Sequence, residues 1–113
     1  MSYDKALADR LREALAALPD GEEKEMFSGV CFMVNGKMCI CVSRDNLLCR
    51  IGAAAIETAA ELNGCKQAMM GGRTMKDYVY VSPEGFASAK DFNHWVQLSL
   101  AFNPKAKASK KKS

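Results

Sequence analysis

The side chains best suited to chemistry in this sequence are five cysteines, one histidine and a set of cations beside paired glycines. Cys39 and Cys41, two residues apart on an expected strand, fall on one face and raise a metal or redox reading. Zinc takes four ligands, usually as close-spaced Cys or Cys/His pairs; here His94 is the only histidine and no second close-spaced pair joins it. Same-face neighbours along one strand are also too far apart for an easy disulfide. Cysteine packs well as a small hydrophobe, so Cys39 and Cys41 are assigned to the core. Cys65 differs, because it follows Asn63-Gly64 at an element edge and precedes Lys66. A neighbouring cation lowers a thiol pKa, which makes Cys65 the candidate reactive thiol. Cys31 and Cys49 complete the set, and an odd number of cysteines without an export signal argues for free thiols.

Gly71-Gly72-Arg73 invites a phosphate-loop reading, but the pattern G-x-x-x-x-G-K-[ST] is absent. Glycine flexibility beside cations still allows a small anion nest, and Arg50, Arg73 and Lys76 are its candidate residues for an anion or an acidic partner. His94 lies beside Trp95 with no serine or cysteine in a context that makes it a base. The acidic residues cluster in Glu22–Glu25, expected to be a solvated connector, and suggest no general acid–base pair. No catalytic residue, metal or cofactor is therefore assigned, and the expectation is a protein that is not an enzyme.

The elements that position these residues begin with a helix over 3–18, marked by Leu7, Leu11, Ala14, Leu15 and Leu18 at helical spacing and by Ser2 as N-cap. Pro19-Asp20-Gly21 stops it. Met26–Ile51 is expected to form three antiparallel strands. Asn35-Gly36 supplies the turn between the first two, since a type I′ turn needs φ > 0 at both central residues. Counting regularly from that turn pairs Val34 with Lys37, Phe32 with Cys39 and Val30 with Cys41. Val30, Phe32, Cys39 and Cys41 then share one face, and Cys31, Met33, Met38, Ile40 and Val42 the other. Both faces are apolar, whereas a half-solvated sheet alternates with polar residues. Both need cover, and a partner subunit is one source of it, so a homodimer is expected.

A second helix follows over Ala53–Leu62, then strands Cys65–Met70 and Met75–Ser82, the latter with Val79 and Val81 on one face and Tyr78 and Tyr80 on the other. Ser88-x-x-Asp91 is a capping-box-like start for a last helix over Ala89–Phe102, which buries Phe92, Trp95, Val96, Ser99 and Phe102. The order α-β-β-β-α-β-β-α implies an α+β fold with helices packed on one antiparallel sheet.

At 113 residues the chain is one domain, read as residues 1–103 with a disordered tail over 104–113. No apolar run is long enough to span a membrane, and the charged start is no secretory signal, so a cytoplasmic protein is expected. The net charge of +3 is unevenly placed. Lys105, Lys107, Lys110, Lys111 and Lys112 lie in the tail; removing those five from the sixteen basic residues leaves eleven against thirteen acidic ones. The body is slightly acidic and the basicity is in the tail, which is too polar to pack. Weak nucleic-acid binding through that tail is the alternative function.

Met26-Phe27-x-Gly29, Asn35-Gly36-Lys37, Arg50-Ile51-Gly52 and Gly72-Arg73-x-Met75-Lys76, followed by Tyr78-Val79-Tyr80-Val81, together resemble the TfoX/Sxy N-terminal-domain family over residues 4–103. Ser28 departs from it, where the family usually has a second glycine. The resemblance implies a two-layer α/β fold like that of secretion chaperones. It also implies a non-enzymatic interaction or regulatory module with a protein partner, the transcriptional machinery among the candidates. Longer members regulate natural competence with the cyclic-AMP receptor protein and carry a C-terminal domain. This chain has no room for one, so competence regulation is not carried over.

Overall fold

The computed structural model describes residues 3–16, 21–26, 29–59, 64–70 and 72–106. The elements run α1 (Lys5–Ala14), β1 (Gly21–Met26), β2 (Gly29–Val34), β3 (Lys37–Ser43), β4 (Asn46–Arg50), α2 (Ala53–Ala59), β5 (Cys65–Met70), β6 (Arg73–Val81) and α3 (Ala89–Phe102), with 3-10 turns at Pro83–Gly85 and Asn103–Lys105. The strands form one six-stranded antiparallel sheet in the order β1-β2-β3-β4-β6-β5. This is the α+β architecture expected, with one strand more.

The extra strand is β1, where the sequence suggested an acidic connector. Glu22 to Glu25 pair with Met33 to Val30 along β2 and are exposed. Charged residues are common on edge strands because they discourage further pairing, and they also erase the apolar alternation by which strands are recognised. The first helix starts later than expected. Its N-cap is Asp4 in place of Ser2, the carboxylate accepting from the Leu7 N–H at 3.1 Å. Leu7, Ala8 and Leu11 are its buried residues, Leu15 is buried just past its end, and Ala14 is exposed. Leu18 and the stop at 19–20 lie outside the described residues, as do Ala60 and Leu62 of the second helix. The last helix has the expected bounds, with Ser88 Oγ accepting from the Asp91 N–H at 3.1 Å.

One large core joins all three helices to the sheet: Leu7 and Leu11 from α1, Ile56 and Ala59 from α2, and Trp95 and Val96 from α3 meet Val30, Phe32, Ile40, Val42, Leu47, Val79 and Val81. The second apolar cluster contains strand residues alone: Cys31, Cys41, Leu48 and Ala68, bordered by Met38, Met75, Tyr78 and Tyr80. Among the described residues the helices therefore cover one face, and the other is covered only by the sheet's own side chains.

The pairing of β2 with β3 departs from the regular count. Asn35 and Gly36 have φ of 56° and 75° and make the expected turn, and Val34 pairs with Lys37 and Met33 with Met38. A bulge then places Phe32 opposite Ile40, Cys31 opposite Cys41 and Val30 opposite Val42. One extra residue on the bulged strand reverses the facing of everything beyond it. Cys39 and Ile40 both enter the large core, and Cys41 moves to the other face. The expected sharing of one face by Cys39 and Cys41 is thus corrected, as are the pairings of Phe32 with Cys39 and of Val30 with Cys41. Gly29 fits this close approach of strands, since a Cβ there would lie 2.0 Å from the Val42 carbonyl oxygen.

Candidate functional site: the helix-free face of the sheet

β4 and β6 form the middle of the helix-free face. Cross-strand pairing sets Leu48 opposite Tyr80 and Arg50 opposite Tyr78, while β5 sets Lys66 opposite Tyr80. Val79 and Val81 point into the large core, so Tyr78 and Tyr80 must point away from it, as alternation requires. An irregularity in β6 interrupts its pairing with β5 between Gln67 and Met69. There the Gln67 amide donates to the carbonyls of Met75 at 2.9 Å and Tyr78 at 3.0 Å. The Asp77 carbonyl accepts from the N–H groups of Ile51 and Gly52 instead. These bonds satisfy the backbone groups released by the irregularity and leave Met75 beside the tyrosines on the open face.

Cys31 and Cys41 lie at the base of this face, 1% and 2% exposed. Their sulfurs are 2.7 Å apart, with the Cys41 thiol donating to Cys31 Sγ. That donation holds the Cys31 thiol below its ordinary pKa, and the same bond together with burial holds Cys41 well above it. Half-buried side chains roof the pair. The Tyr78 hydroxyl donates to Met38 Sδ at 3.7 Å, the Arg50 guanidinium stands 5.5 Å over the Tyr78 ring, and its Nη1 donates to the Met38 carbonyl at 3.4 Å. Burial pushes the Tyr78 phenol up to about 12, so it stays protonated and serves as a donor.

The residues singled out by sequence are distributed unevenly around this face. Arg50 belongs to its roof. Lys76 is exposed on β6, two residues before Tyr78. Arg73 opens the same strand opposite Met70, but its side chain lies outside the described residues, as does Gly71. The three cations thus lie along β4 and β6, and Arg50 is engaged with Met38 and Tyr78. Cys65 is half-buried on β5, where burial raises its pKa, the opposite of the lowering expected from Lys66. Successive strand residues point to opposite faces: Cys65 packs against the large core, while Lys66 is exposed opposite Tyr80. Cys39 is pushed up to about 12 and Cys49 higher still, in both cases chiefly by burial. His94 is exposed, its ring edge-on to Trp95 at 5.6 Å. Lys105 is exposed in the 3-10 turn, while Lys107, Lys110, Lys111 and Lys112 lie outside the described residues.

Among the described residues no group of three or more His, Cys, Asp or Glu side chains is placed to hold a metal, and no helix is long and apolar enough to cross a membrane. A cleft of about 280 Å³ between the end of α1 and β1 is lined by Arg12, Leu15, Glu23, Phe32 and Met33. Arg12 and Glu23 are paired there, Arg12 donating to both Glu23 oxygens at 2.6 and 2.8 Å, and Glu22 also lines the cleft.

The Cys31–Cys41 pair is the feature that regular counting from Asn35-Gly36 misses, because a single bulge decides it. A signal was nevertheless present. Without a bulge, Ile40 and Val42, the larger apolar residues of β3, face away from the helices, and the smaller Cys39 and Cys41 face toward them.

A six-stranded antiparallel sheet covered by helices on one face, with an apolar-based, cation-rimmed face that no described helix covers, defines an α+β domain. The TfoX N-terminal domain model matches residues 13–103, and the chain belongs to that family. No curated protein and no solved structure matches it.

Proposed function

We infer that the chain is a non-enzymatic interaction module of a regulatory family and that its working surface is the helix-free sheet face. One observation carries this reading: Cys31, Cys41, Leu48 and Ala68 form an apolar base that no helix among the described residues covers, bordered by the half-buried Met38, Met75, Tyr78 and Tyr80. Methionine and tyrosine suit an adaptable contact surface, the one through its flexible thioether and the other through an apolar ring with a polar tip. Lys66, exposed on the edge strand β5, and Lys76 on β6 stand beside them. Family membership supports a regulatory role.

The partner proposed first is a second copy of the chain, which would supply the cover that a single layer of helices leaves out. Sedimentation velocity of the full chain at micromolar concentration is expected to give a dimer. Tyr80→Glu, which places a carboxylate in the centre of the face, is expected to give a monomer with an unchanged far-ultraviolet dichroism spectrum. A wild-type chain that remains monomeric at every accessible concentration overturns the self-association, and a Tyr80→Glu dimer moves the contact to another surface.

A further inference from the structure

We propose that Cys31 and Cys41 form a peroxide-oxidised dithiol, a modification site that closes to a disulfide across β2 and β3 and reopens with a thiol reductant. The backbone already provides the span. The two residues are directly opposed in the antiparallel ladder, where Cα atoms lie roughly 4.5 to 5.5 Å apart. A disulfide spans about 4.4 to 6.8 Å between Cα atoms. The sulfurs are 2.7 Å apart, so bond formation requires only a small side-chain adjustment.

The pair also has the asymmetry that such a reaction uses. The Cys41 thiol donates to Cys31 Sγ, which favours the thiolate at Cys31, and the thiolate is the nucleophilic form. Cys31 Sγ attacks one oxygen of hydrogen peroxide and the O–O bond breaks. The departing hydroxide takes the proton that Cys31 released on ionising and leaves as water, and Cys31 becomes a sulfenic acid. Cys41 Sγ then attacks Cys31 Sγ, and the hydroxyl leaves with the Cys41 proton as a second water. Two thiols lose two electrons, and one peroxide gains them.

Access favours a small oxidant. Cys31 and Cys41 are nearly fully buried, but their cover consists of half-buried side chains, Met38 and Tyr78 foremost. Rotation of those side chains admits a molecule the size of peroxide without opening the sheet. Cys39 and Cys49 are buried in the large core under the helices, and the bulge leaves neither of them opposite another cysteine. Both thiols belong to one chain, so the cross-link needs no partner, but a second copy seated on this face would cover Met38 and Tyr78, and oxidation is therefore expected to proceed through the monomer.

The test uses the purified full chain, fully reduced, then treated with hydrogen peroxide. Alkylation and peptide mass mapping follow, with and without dithiothreitol. The expected product has lost two hydrogens, carries a Cys31–Cys41 cross-link within one chain, retains alkylatable Cys39, Cys49 and Cys65, and reverts with dithiothreitol. In Cys41→Ser the sulfenic acid on Cys31 has no resolving thiol, so dimedone is expected to label Cys31, and in Cys31→Ser no cross-link forms. If the half-buried Cys65 oxidises while Cys31 and Cys41 stay alkylatable, or if the cross-link joins two chains, the proposal is overturned. Mapping of the wild-type chain decides the matter even if a serine variant fails to fold.

Discussion

Asn103 at the end of α3 is bonded to Asn35 in the β2–β3 turn, the Asn35 Nδ2 donating to Asn103 Oδ1 at 2.9 Å. The Asn103 amide also donates to the Val34 carbonyl at 3.0 Å, and the Lys37 ammonium donates to the Asn103 carbonyl at 3.2 Å. One buried side chain therefore ties the last helix to the hairpin at the centre of the fold. Asn103→Ala leaves a carbonyl buried without this donor, which costs about 1–3 kcal/mol. The melting temperature is expected to fall by about 5 °C or more. Asn35→Gly keeps the positive φ and loses only the exposed partner, so its loss should be the smaller of the two. Thermal melts of both variants by circular dichroism check the order.

Gly29 and Gly52 are fixed by different contacts, and alanine at each should fail to different degrees. At Gly29 an added Cβ meets the Val42 carbonyl oxygen at 2.0 Å, and that backbone cannot move without parting β2 from β3. At Gly52 the φ is +91° and the Cβ meets the Phe102 ring at 2.6 Å. The backbone strain exceeds about 1 kcal/mol, but a ring can shift where a ladder cannot. Urea titrations are expected to show Gly29→Ala as the more destabilised variant, with Gly52→Ala intermediate.

These glycines show where the sequence was legible. Gly29 and Gly52 belong to the stretches that carry the family resemblance, and the Asn35-Gly36 turn, the Ser88 cap and the inward Val79 and Val81 all follow from local chemistry. The site was less legible because its key pair depends on a bulge, a tertiary choice that leaves Cys39 in the core and sends Cys41 to the other face so that Ile40 and Val42 can meet the helices. β1 escaped for a related reason. Its charged residues pair through their backbone and leave no apolar pattern to read. Asp4 displaced Ser2 as the cap because it lies three residues before Leu7, whose N–H it accepts.

The Arg12–Glu23 pair should give stability a modest acid dependence. Arg12 bridges α1 to the edge strand through Glu23 and is also paired with Asp9 in its own helix. The hydrogen bond from Arg12 lowers the Glu23 pKa from its ordinary value of 4.5. A depressed folded-state pKa contributes stability that is fully present above the unfolded value and is lost as the pH falls through the folded one. Both side chains are partly exposed, so the effect is small. Glu23→Gln is expected to be less stable than wild type at neutral pH, with the difference vanishing in strong acid. Paired urea titrations across the acid range measure it, and a difference that persists in strong acid would show that it arises from packing.

Nucleic-acid binding, the alternative to a protein partner, is expected to reside in the lysine-rich end of the chain. Packing extends to Ala106, which is buried and whose N–H donates to the carbonyls of Phe102 and Asn103. A truncation after Ala106 therefore preserves the packed domain while removing Lys107, Lys110, Lys111 and Lys112, four of the five tail lysines. Five lysines neutralise at most about five phosphates, which sets a salt slope no steeper than roughly −4.5 on duplex DNA. The body is net acidic by sequence, and its longest helix, α3, carries Asp91 and a single lysine, Lys90, which is a poor match to a basic recognition helix. Anisotropy titrations of random-sequence duplex across a salt series would compare the full chain, the truncation and Lys66→Ala/Lys76→Ala. Truncation is expected to abolish binding, and the double variant to retain it with the same slope. If the truncated chain still bound and the double variant did not, the reader would be the open sheet face, with Tyr78 and Tyr80 available to stack on bases, and the interaction surface inferred above would have a nucleic-acid partner.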